Sequence, residues 1–490
     1  MSSPQDYIAD RRGAAAGLGL SLPLWVCLIA FLATLATAHN ILTDQDPFWH
    51  VAVGNWIIAH RAVPHRDVFS FSMAGAPWVA HEWLAEVVLA AIYDFAGWAG
   101  LVILAALVLA AALAVLLALL QRYFSPVPAL LGAIGAFGLA IGHLHVRPHV
   151  FGLLLLVIWL GALVAAREED RAPTPTHALL MLLWANLHGG FVLGLGLAAL
   201  FAGEALFESN DRASLLRATR RWGLFLSLST MAALVTPNGV TGLLFPLHVM
   251  QMPYAMATIH EWMSPDFQYP QPLEAWLLLA LLGALISGWR LPVTRIAMFL
   301  LLLHEALAHR RLGEIFGLAA PLLFAPALAP QLRGMGFAGL DRRLENRAGS
   351  TRPFGWAIGV LVLLAATAVT LRIGITNEDH RFAPSGAIQF AKAHRLTGPV
   401  FNDYEFGGFL IFSGIAPFVD GRADMYGDAF LKRAATPAEL PGLLQQYGIV
   451  WTVLDPADAR VALLDHLAGW QRAYADGVAV IHVRAPVPNP

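Results

Sequence analysis

The residues best suited to chemistry in this 490-residue chain are concentrated in one stretch, from Thr43 to Glu86. The stretch lies between two apolar segments, yet it carries three Asp, four His and two Glu in a chain of which charged residues make up only 13%. A carboxylate held at a membrane edge, such as Asp44 or Asp46, can act as a general base on an acceptor hydroxyl or bind a divalent cation. The alternative is that Asp46 only caps a helix and that Asp44 is solvated.

Histidine and glutamate are adjacent at three places, which is more often than random placement of 18 His in 490 residues would give. Imidazole and carboxylate groups bind metal ions and also lie beside bound phosphate. The pairs are His81-Glu82, His260-Glu261 and His304-Glu305, and the candidate metal ligands are Glu82, His50, His260 and Glu261. The spacing of five between His304 and His309 argues against the zinc-protease helix motif. The alternative for these pairs is interfacial anchoring by the tryptophans that follow two of them.

Three arginines lie at the ends of apolar segments and are predicted to face one cavity: Arg147, Arg310 and Arg311. Guanidinium is the preferred planar partner of phosphate, so these residues, together with His81, are candidates for binding a phosphate group. The alternative is that each arginine anchors a helix end to lipid headgroups. Polar residues also surround turns near the C-terminus, where a structural use is favoured: Asn402, Asp403, Asp420, Arg422 and Asp424.

Local signals predict how the stretch from 43 to 86 is held. Asp46 followed by Pro47 indicates a helix start, because the carboxylate can accept from free amide groups and proline lacks the donor that would be orphaned there. That helix would carry an aromatic-rich stripe suited to lying flat in the headgroup layer, formed by Trp49, Val53, Trp56, Ile57 and His60. A second amphipathic helix is predicted to begin near Trp78, with Glu82 and Glu86 four residues apart.

The composition is that of a polytopic α-helical membrane protein. Hydrophobic residues make up 58% of the chain, the mean hydropathy is +0.62, and long apolar runs fill its first three quarters. The runs predict about eleven membrane spans. These lie near residues 22–40, 98–120, 127–143, 150–166, 177–187, 190–207, 222–236, 273–288, 296–309, 314–330 and 355–373. The net charge of −2 and the lack of a basic tail give no sign of a nucleic-acid partner, and the single Cys27 cannot form an intrachain disulfide.

The distribution of arginine predicts the orientation. Most arginines, including Arg11, Arg12 and Arg352, fall on one side of this arrangement, whereas the opposite short loops hold only Arg61, Arg66, Arg147, Arg310 and Arg311. The positive-inside rule therefore predicts a cytoplasmic N-terminus, with the stretch from 43 to 86 and the C-terminus in the periplasm. The polar motifs at 143–149, 186–190 and 236–239 then all lie at periplasmic ends.

The chain is predicted to contain two domains. Residues 1–375 form a transmembrane domain whose first periplasmic loop spans 40–97. From about Thr376 the apolar runs stop and short β-like runs alternate with helical ones. Residues 376–490 are therefore predicted to form a small periplasmic α/β domain, large enough for its own core.

This arrangement resembles the GT-C superfamily of membrane glycosyltransferases. The resemblance lies in an acidic first periplasmic loop directly after the first span, followed by many spans and a periplasmic C-terminal domain. Within the superfamily, the run from Asp44 to His50, with Pro77-Trp78-Val79-Ala80-His81-Glu82-Trp83 downstream, is similar to uncharacterised bacterial members.

The resemblance implies an inner-membrane enzyme that moves a hexose or pentose from a polyprenyl-phosphate carrier to a lipid or envelope glycan acceptor. It implies that Asp46 or Asp44 acts as the base or metal ligand, with Mg²⁺ or Mn²⁺ as a candidate cofactor. Two alternatives remain, namely a transporter or flippase and a non-catalytic assembly protein for envelope polysaccharide. A transporter should show ionisable residues near mid-membrane and paired, similar halves, and the sequence shows neither.

Overall fold

The computed structural model describes residues 20–333, 337–348, 353–377 and 381–485. Arg11, Arg12 and Arg352, three of the arginines that predict the orientation, lie outside the described residues. The α-helices are α1 Leu22–Ala36, α2 Ala38–Leu42, α3 Asp46–His60, α4 Trp83–Leu120, α5 Pro126–Ile141, α6 His149–Glu168, α7 Ala178–Leu187, α8 Phe191–Phe207, α9 Arg212–Ala233, α10 Gly239–Val249, α11 Pro253–Thr258, α12 Pro272–Ser287, α13 Val293–Ala308, α14 Gly313–Leu332, α15 Ala338–Arg347, α16 Pro353–Ile373, α17 Ser385–Ala393, α18 Gly407–Phe412, α19 Ala423–Ala435, α20 Leu440–Gln446 and α21 Ala459–His466. The strands are β1 Val400–Asn402, β2 Trp451–Leu454, β3 Trp470–Ala475 and β4 Val480–Arg484.

The chain is a helical membrane protein with a small C-terminal sheet, as predicted. Within the described ranges, four helical stretches are both long enough and apolar enough to cross a bilayer: Trp83–Leu120, His149–Glu168, Arg310–Leu332 and Pro353–Ile373. Each predicted span falls on a helix, but several of these helices are shorter than the ~20 residues that a perpendicular crossing needs. The number of spans therefore stays a prediction.

Helix α4 is central to the bundle and is kinked at Gly97. This residue has a φ of 60° and a ψ of −157°, a conformation that glycine adopts far more readily than residues with a Cβ. After the kink, buried residues recur to the end of the helix, and its alanines allow α1 and α6 to approach closely. Before the kink it packs against α3, which places Glu86 beside that helix.

Helix α3 begins at Asp46, as the Asp-Pro signal predicts. Most of its aromatic stripe, however, packs against protein, with Trp56 partly buried and His60 exposed. Trp49, Val53 and Ile57 are buried in one cluster with Trp78 and Ile411. The first part of the stripe is therefore a docking face for the C-terminal part of the chain, and the prediction of headgroup contact is wrong for Trp49, Val53 and Ile57.

The second amphipathic helix begins at Trp83 and not near Trp78. The loop before it folds back on itself, so that the Trp78 amide donates to the His65 carbonyl at 3.0 Å and the Asp67 amide donates to the Ala76 carbonyl at 2.9 Å. A backbone already paired in this way cannot also form a helical turn. Glu82 consequently precedes the helix, whereas Glu86 lies in its first turn.

The C-terminal sheet has the order β1-β2-β4-β3, with β1 and β2 parallel and the other pairs antiparallel. It follows the end of α16 at Ile373. The fully buried Arg422 joins this part of the chain to the first loop, because its Nη1 lies 2.7 Å from Asp67 Oδ1 and its Nη2 lies 2.7 Å from Asp420 Oδ2. The division at residue 375 is not tested by these contacts and stays a prediction.

Candidate active site

The guanidinium of Arg147 contacts three carboxylates. Its Nη2 donates to Asp44 Oδ1 at 2.7 Å, and its Nε donates to Asp44 Oδ2. Its Nη1 lies 3.1 Å from Asp46 Oδ2 and donates to Glu261 Oε2. The planar fork of arginine donors suits such convergent carboxylates.

A second arginine completes this group from the other side of Glu261. Arg311 Nη1 donates to Glu261 Oε1 at 2.8 Å. The guanidinium carbon of Arg311 lies 4.3 Å from the centre of the Trp262 ring, a distance at which the ring attracts a cation. We call Arg147, Arg311, Asp44, Asp46 and Glu261 the guanidinium cluster.

The loop between α2 and α3 positions the two aspartates. Asp44 Oδ1 accepts a hydrogen bond from the Asp46 amide at 3.1 Å, whereas Asp46 Oδ1 accepts from Trp49 Nε1 at 2.9 Å. The free amide at the start of α3 is therefore satisfied by Asp44, and the prediction that Asp46 caps the helix is wrong. The Asp46 side chain faces Arg147 and Trp49 instead.

The two aspartates have opposite electrostatic environments. Burial raises the pKa of Asp46 to about 6, and the charges of Asp44 and Glu261 add to this effect against the opposing charge of Arg147. Burial also disfavours the charged form of Asp44, but Arg147 outweighs it through charge and hydrogen bonds and holds the pKa of Asp44 well below its usual range. Asp44 thus ionises more readily than Asp46, whose environment favours uptake of a proton.

A second group of polar side chains surrounds Glu82. Its oxygens lie 3.9 Å from His50 Nε2, 3.6 Å from His81 Nε2 and 3.5 Å from His188 Nε2. His50 also faces Glu86, with 3.3 Å between its Nδ1 and Glu86 Oε1. We call Glu82, Glu86, His50, His81 and His188 the imidazole cluster.

Glu82 and His81 hold each other in their charged forms. Burial opposes the charge on His81, but the adjacent carboxylate of Glu82 outweighs burial and raises the pKa of His81 to about 9. Burial likewise opposes the charge on Glu82, and the neighbouring histidines, His81 above all, overcome it and lower the pKa of Glu82. The imidazole cluster therefore contains an internal ion pair.

The two clusters meet at the first turns of α3. Trp49, which donates to Asp46, stacks on His50 with 3.7 Å between the ring centres. Histidine rings also form a row between the clusters, with centres 5.6, 6.2 and 6.5 Å apart in the order His145, His143, His149 and His188. The row runs from His145 Nδ1, 3.9 Å from Asp44 Oδ2, to His188 Nε2 beside Glu82.

Glycines of the C-terminal part form a wall of the site. A Cβ on Gly421 would lie 2.5 Å from Asp46 Oδ1 and 2.9 Å from Trp49 Nε1. A Cβ on Gly408 would collide with the Gln45 carbonyl. Only a residue without a side chain allows the backbone to approach α3 so closely.

The structure brings some predicted site residues together and separates others. Asp44, Asp46, Arg147, Arg311 and Glu261 share one cluster, and His50, His81 and Glu82 share the other. Arg310 lies outside both clusters, because its Nη1 is 2.6 Å from His260 Nε2 at the exposed surface. The C-terminal polar residues bond within the fold, as in the 2.8 Å hydrogen bond from Asn402 Nδ2 to the Val419 carbonyl.

The four candidate metal ligands do not form one coordination site. Glu82 and His50 contact each other, whereas Glu261 contacts two arginines and His260 contacts Arg310. In the part of the chain that the structure describes, no group of three or more His, Cys, Asp or Glu side chains is arranged to hold a metal ion. The four predicted ligands therefore do not meet at one metal site.

Trp49, His145 and His188 are among the site residues that the sequence does not assign. Trp49 follows Asp46 by three residues, a spacing that places both on one helix face. His145 and His188 lie in polar motifs between apolar segments, and that position was the available signal. Their partners Asp44 and Glu82 are distant in the sequence, so pairing them required the fold.

Comparison with known proteins identifies the fold. No family model matches the chain, and no curated protein matches it. The apo oligosaccharyltransferase of Archaeoglobus fulgidus is similar in structure, with a TM-score of 0.55 and 12% identity over 89% of this chain and 69% of that protein. The archaeal oligosaccharyltransferase AglB of Archaeoglobus fulgidus, in complex with an inhibitory peptide and a dolichol-phosphate, gives a TM-score of 0.52 and 12% identity over 96% of this chain and 75% of its own length.

These similarities show that the chain has a GT-C fold. The fold suggested by the acidic first loop is therefore confirmed. The roles of individual residues are not tested by a likeness at 12% identity.

Proposed function

We propose that the protein is an inner-membrane glycosyltransferase that moves a hexose or pentose from a polyprenyl-phosphate carrier to a lipid or envelope glycan acceptor. The observation that carries the proposal is the guanidinium cluster on a GT-C fold, in which Asp44 and Asp46 contact Arg147 and Glu261 joins Arg147 to Arg311. The dolichol-phosphate bound to the similar AglB supports a polyprenyl phosphate as the ligand here. The distribution of arginine supports a periplasmic location for the cluster.

The side chains of the cluster can take distinct parts in the transfer. The acceptor oxygen attacks the anomeric carbon while the bond from that carbon to the phosphate oxygen breaks, and the acceptor proton passes to the Asp46 carboxylate. Arg147 and Arg311 stabilise the negative charge on the departing lipid phosphate. Asp44 binds Arg147 through two oxygens and therefore positions it.

An apolar groove offers a place for the lipid tail. A cavity of about 370 Å³ lies between α8 and α13 and is lined by Leu193, Gly196, Leu197, Ala199, Leu200, Met298, Leu301 and Leu302. Helix α13 ends at Ala308, shortly before Arg310 and Arg311, and α8 begins directly after the polar run that contains His188. A tail in this groove would have its phosphate end near the polar ends of both helices.

A divalent cation has no step in this proposal. The carboxylates best placed to bind one, Asp44, Asp46 and Glu261, contact the Arg147 guanidinium instead. Arg147 therefore supplies the positive charge that opposes these three carboxylates.

Replacing Asp46 by Asn tests the proposal. Asparagine keeps an oxygen that can accept from Trp49 but cannot take up the acceptor proton, so we expect transfer to fall by roughly 100-fold or more. Wild type and Asp46→Asn are expressed at equal membrane levels in a strain that lacks the gene, and lipid-linked and surface glycans are compared. The exposed Asp94→Asn on α4 is the matched control and should restore the glycan fully.

The same experiment separates the alternative functions. Loss of one sugar with accumulation of its unmodified acceptor supports a transferase. Loss of a whole exported polymer supports transport or assembly. Full restoration by Asp46→Asn would contradict the role of Asp46 as base.

A further inference from the structure

Glu261 lies where a phosphate group would bind between two arginines. One carboxylate oxygen accepts from Arg147 Nη1, and the other accepts from Arg311 Nη1 at 2.8 Å. Carboxylate and phosphate are both recognised by guanidinium through such paired oxygens. We infer that the space between Arg147 and Arg311 is the phosphate subsite of the lipid donor and that Glu261 occupies it until the donor displaces it. This inference rests on the proposed function.

The charges of the guanidinium cluster favour phosphate binding only after one carboxylate has left. Asp44, Asp46 and Glu261 supply three acidic groups against the two guanidinium groups of Arg147 and Arg311. A phosphate group that entered this cluster intact would add further negative charge at short range, which is unfavourable at a partly buried site. Removal of one carboxylate vacates the space between the arginines and lowers the negative charge that the phosphate would meet there.

Of the three carboxylates, Glu261 is the one placed to move. Asp44 is 3% exposed and bonds to Arg147 through both oxygens, and Asp46 is held by Trp49 Nε1 at 2.9 Å. The side chains of Glu261 and Asp46 are equally exposed, at 15% and 16%, but the bonds of Glu261 go only to the two arginines. Rotation of this side chain toward solvent therefore breaks its hydrogen bonds to Arg147 and Arg311 and leaves those of Asp44 and Asp46 in place.

The neighbouring backbone stays in place when the side chain rotates. The Trp262 carbonyl accepts from His309 Nδ1 at 2.7 Å, and the Met263 carbonyl accepts from the Arg310 amide at 2.9 Å. The Trp262 ring lies 4.3 Å from the Arg311 guanidinium carbon and keeps that group in position. Displacement of Glu261 thus leaves two arginines fixed and free to bind phosphate.

Binding of undecaprenyl phosphate to the full-length protein in detergent tests the inference. Glu261→Gln removes the competing charge with little change in size, so we expect binding roughly tenfold tighter than for wild type. The matched control is Glu405→Gln, which removes an acidic partner of the exposed Arg381 and should leave binding unchanged. Undecaprenol, which lacks the phosphate, should bind wild type and Glu261→Gln equally.

The other outcomes separate the inference from the proposed function. Unchanged or weaker binding of undecaprenyl phosphate by Glu261→Gln, or an equal gain for undecaprenol, would overturn the inference alone. If neither protein binds undecaprenyl phosphate more tightly than undecaprenol, both the inference and the proposed phosphate site are wrong. In an Arg311→Gln background the gain from Glu261→Gln should shrink, because the two residues act on one another directly.

Discussion

The guanidinium cluster and the imidazole cluster have opposite charge arrangements. In the first, the cation Arg147 lies at the centre of three carboxylates, and in the second, the anion Glu82 lies at the centre of three imidazoles. A guanidinium keeps its charge at any working pH, whereas an imidazole can lose its charge. The centre of the guanidinium cluster is therefore charged at any working pH, whereas the imidazoles around Glu82 belong to a residue type that can lose its charge.

The difference indicates that residues one turn apart on α3 have different roles. Asp46 and His50 lie one turn apart on this helix, and each belongs to a different cluster. In the proposed function, the two arginines of the guanidinium cluster bind the donor phosphate once Glu261 has left. The imidazole cluster, whose His50 and Glu86 are fully buried, holds the start of α3 against α4.

Removing the centre of the guanidinium cluster should have the largest effect. Arg147→Met leaves Asp44 buried without its cation, and loss of one partner of a buried ion pair costs about 3–5 kcal/mol of stability. We expect a large fall in the melting temperature of the protein in detergent. Arg381→Met, which breaks a pair whose arginine side chain is 67% exposed, should cost about 1 kcal/mol at most. Equal falls for the two variants would show that Arg147 is not central.

The pH dependence of transfer should reveal Asp46. Its pKa of about 6 means that the base becomes protonated as the pH falls through this value. We expect the initial transfer rate in membranes to drop roughly tenfold for each pH unit below that point. A rate that stays constant down to about pH 5 would contradict a base with this pKa. Residual transfer by Asp46→Asn should not show this dependence.

The stability that the imidazole cluster contributes should change at alkaline pH. The folded protein holds the pKa of His81 at about 9, above its ordinary value of 6.5, so the charged imidazole stabilises the fold fully below about pH 6.5. That stability is lost as the pH rises through about 9. The melting temperature of wild type should therefore fall over this interval, by a smaller amount than Arg147→Met produces.

Glu82→Gln sharpens this test. Without the carboxylate, the pKa of His81 returns toward or below its ordinary value, because burial is then opposed far less. The melting temperature of this variant should change less between about pH 6.5 and about pH 9. Glu439→Gln, at an exposed pair with Arg433, should keep the wild-type slope. An unchanged slope in Glu82→Gln would show that this ion pair does not control the effect.

The sequence predicts the elements of this protein better than their contacts. Apolar runs predict the helices because burial in lipid demands paired backbones and apolar side chains, and the Asp-Pro signal predicts the start of α3 correctly. Local signals fail where a distant segment competes. The Asp-Pro pattern predicts that Asp46 caps α3. In the structure the Asp46 side chain turns toward Arg147, which lies 101 positions later in the chain, and Asp44 accepts from the Asp46 amide instead.

The composition of the site was partly predictable, whereas its pairing was not. Asp44, Asp46, Arg147 and Glu261 were all singled out by residue type and by position near the ends of apolar segments. Nothing local specifies that Glu261 meets Arg147, since 114 residues separate them. The pattern of α3 likewise predicts contact between its aromatic stripe and lipid headgroups, because Ile411, which packs on the stripe, lies more than 350 residues away.

The contact of Gly421 with Asp46 and Trp49 has a consequence for the order in which the site is made. A ribosome completes the loop that carries Asp46 long before it reaches residue 421, and domains generally fold in the order of synthesis. The wall opposite Asp46 therefore does not exist while the bundle is being inserted. A nascent chain therefore carries Asp46 and Trp49 without the backbone that covers them, and this cover is added only when translation has passed Gly421.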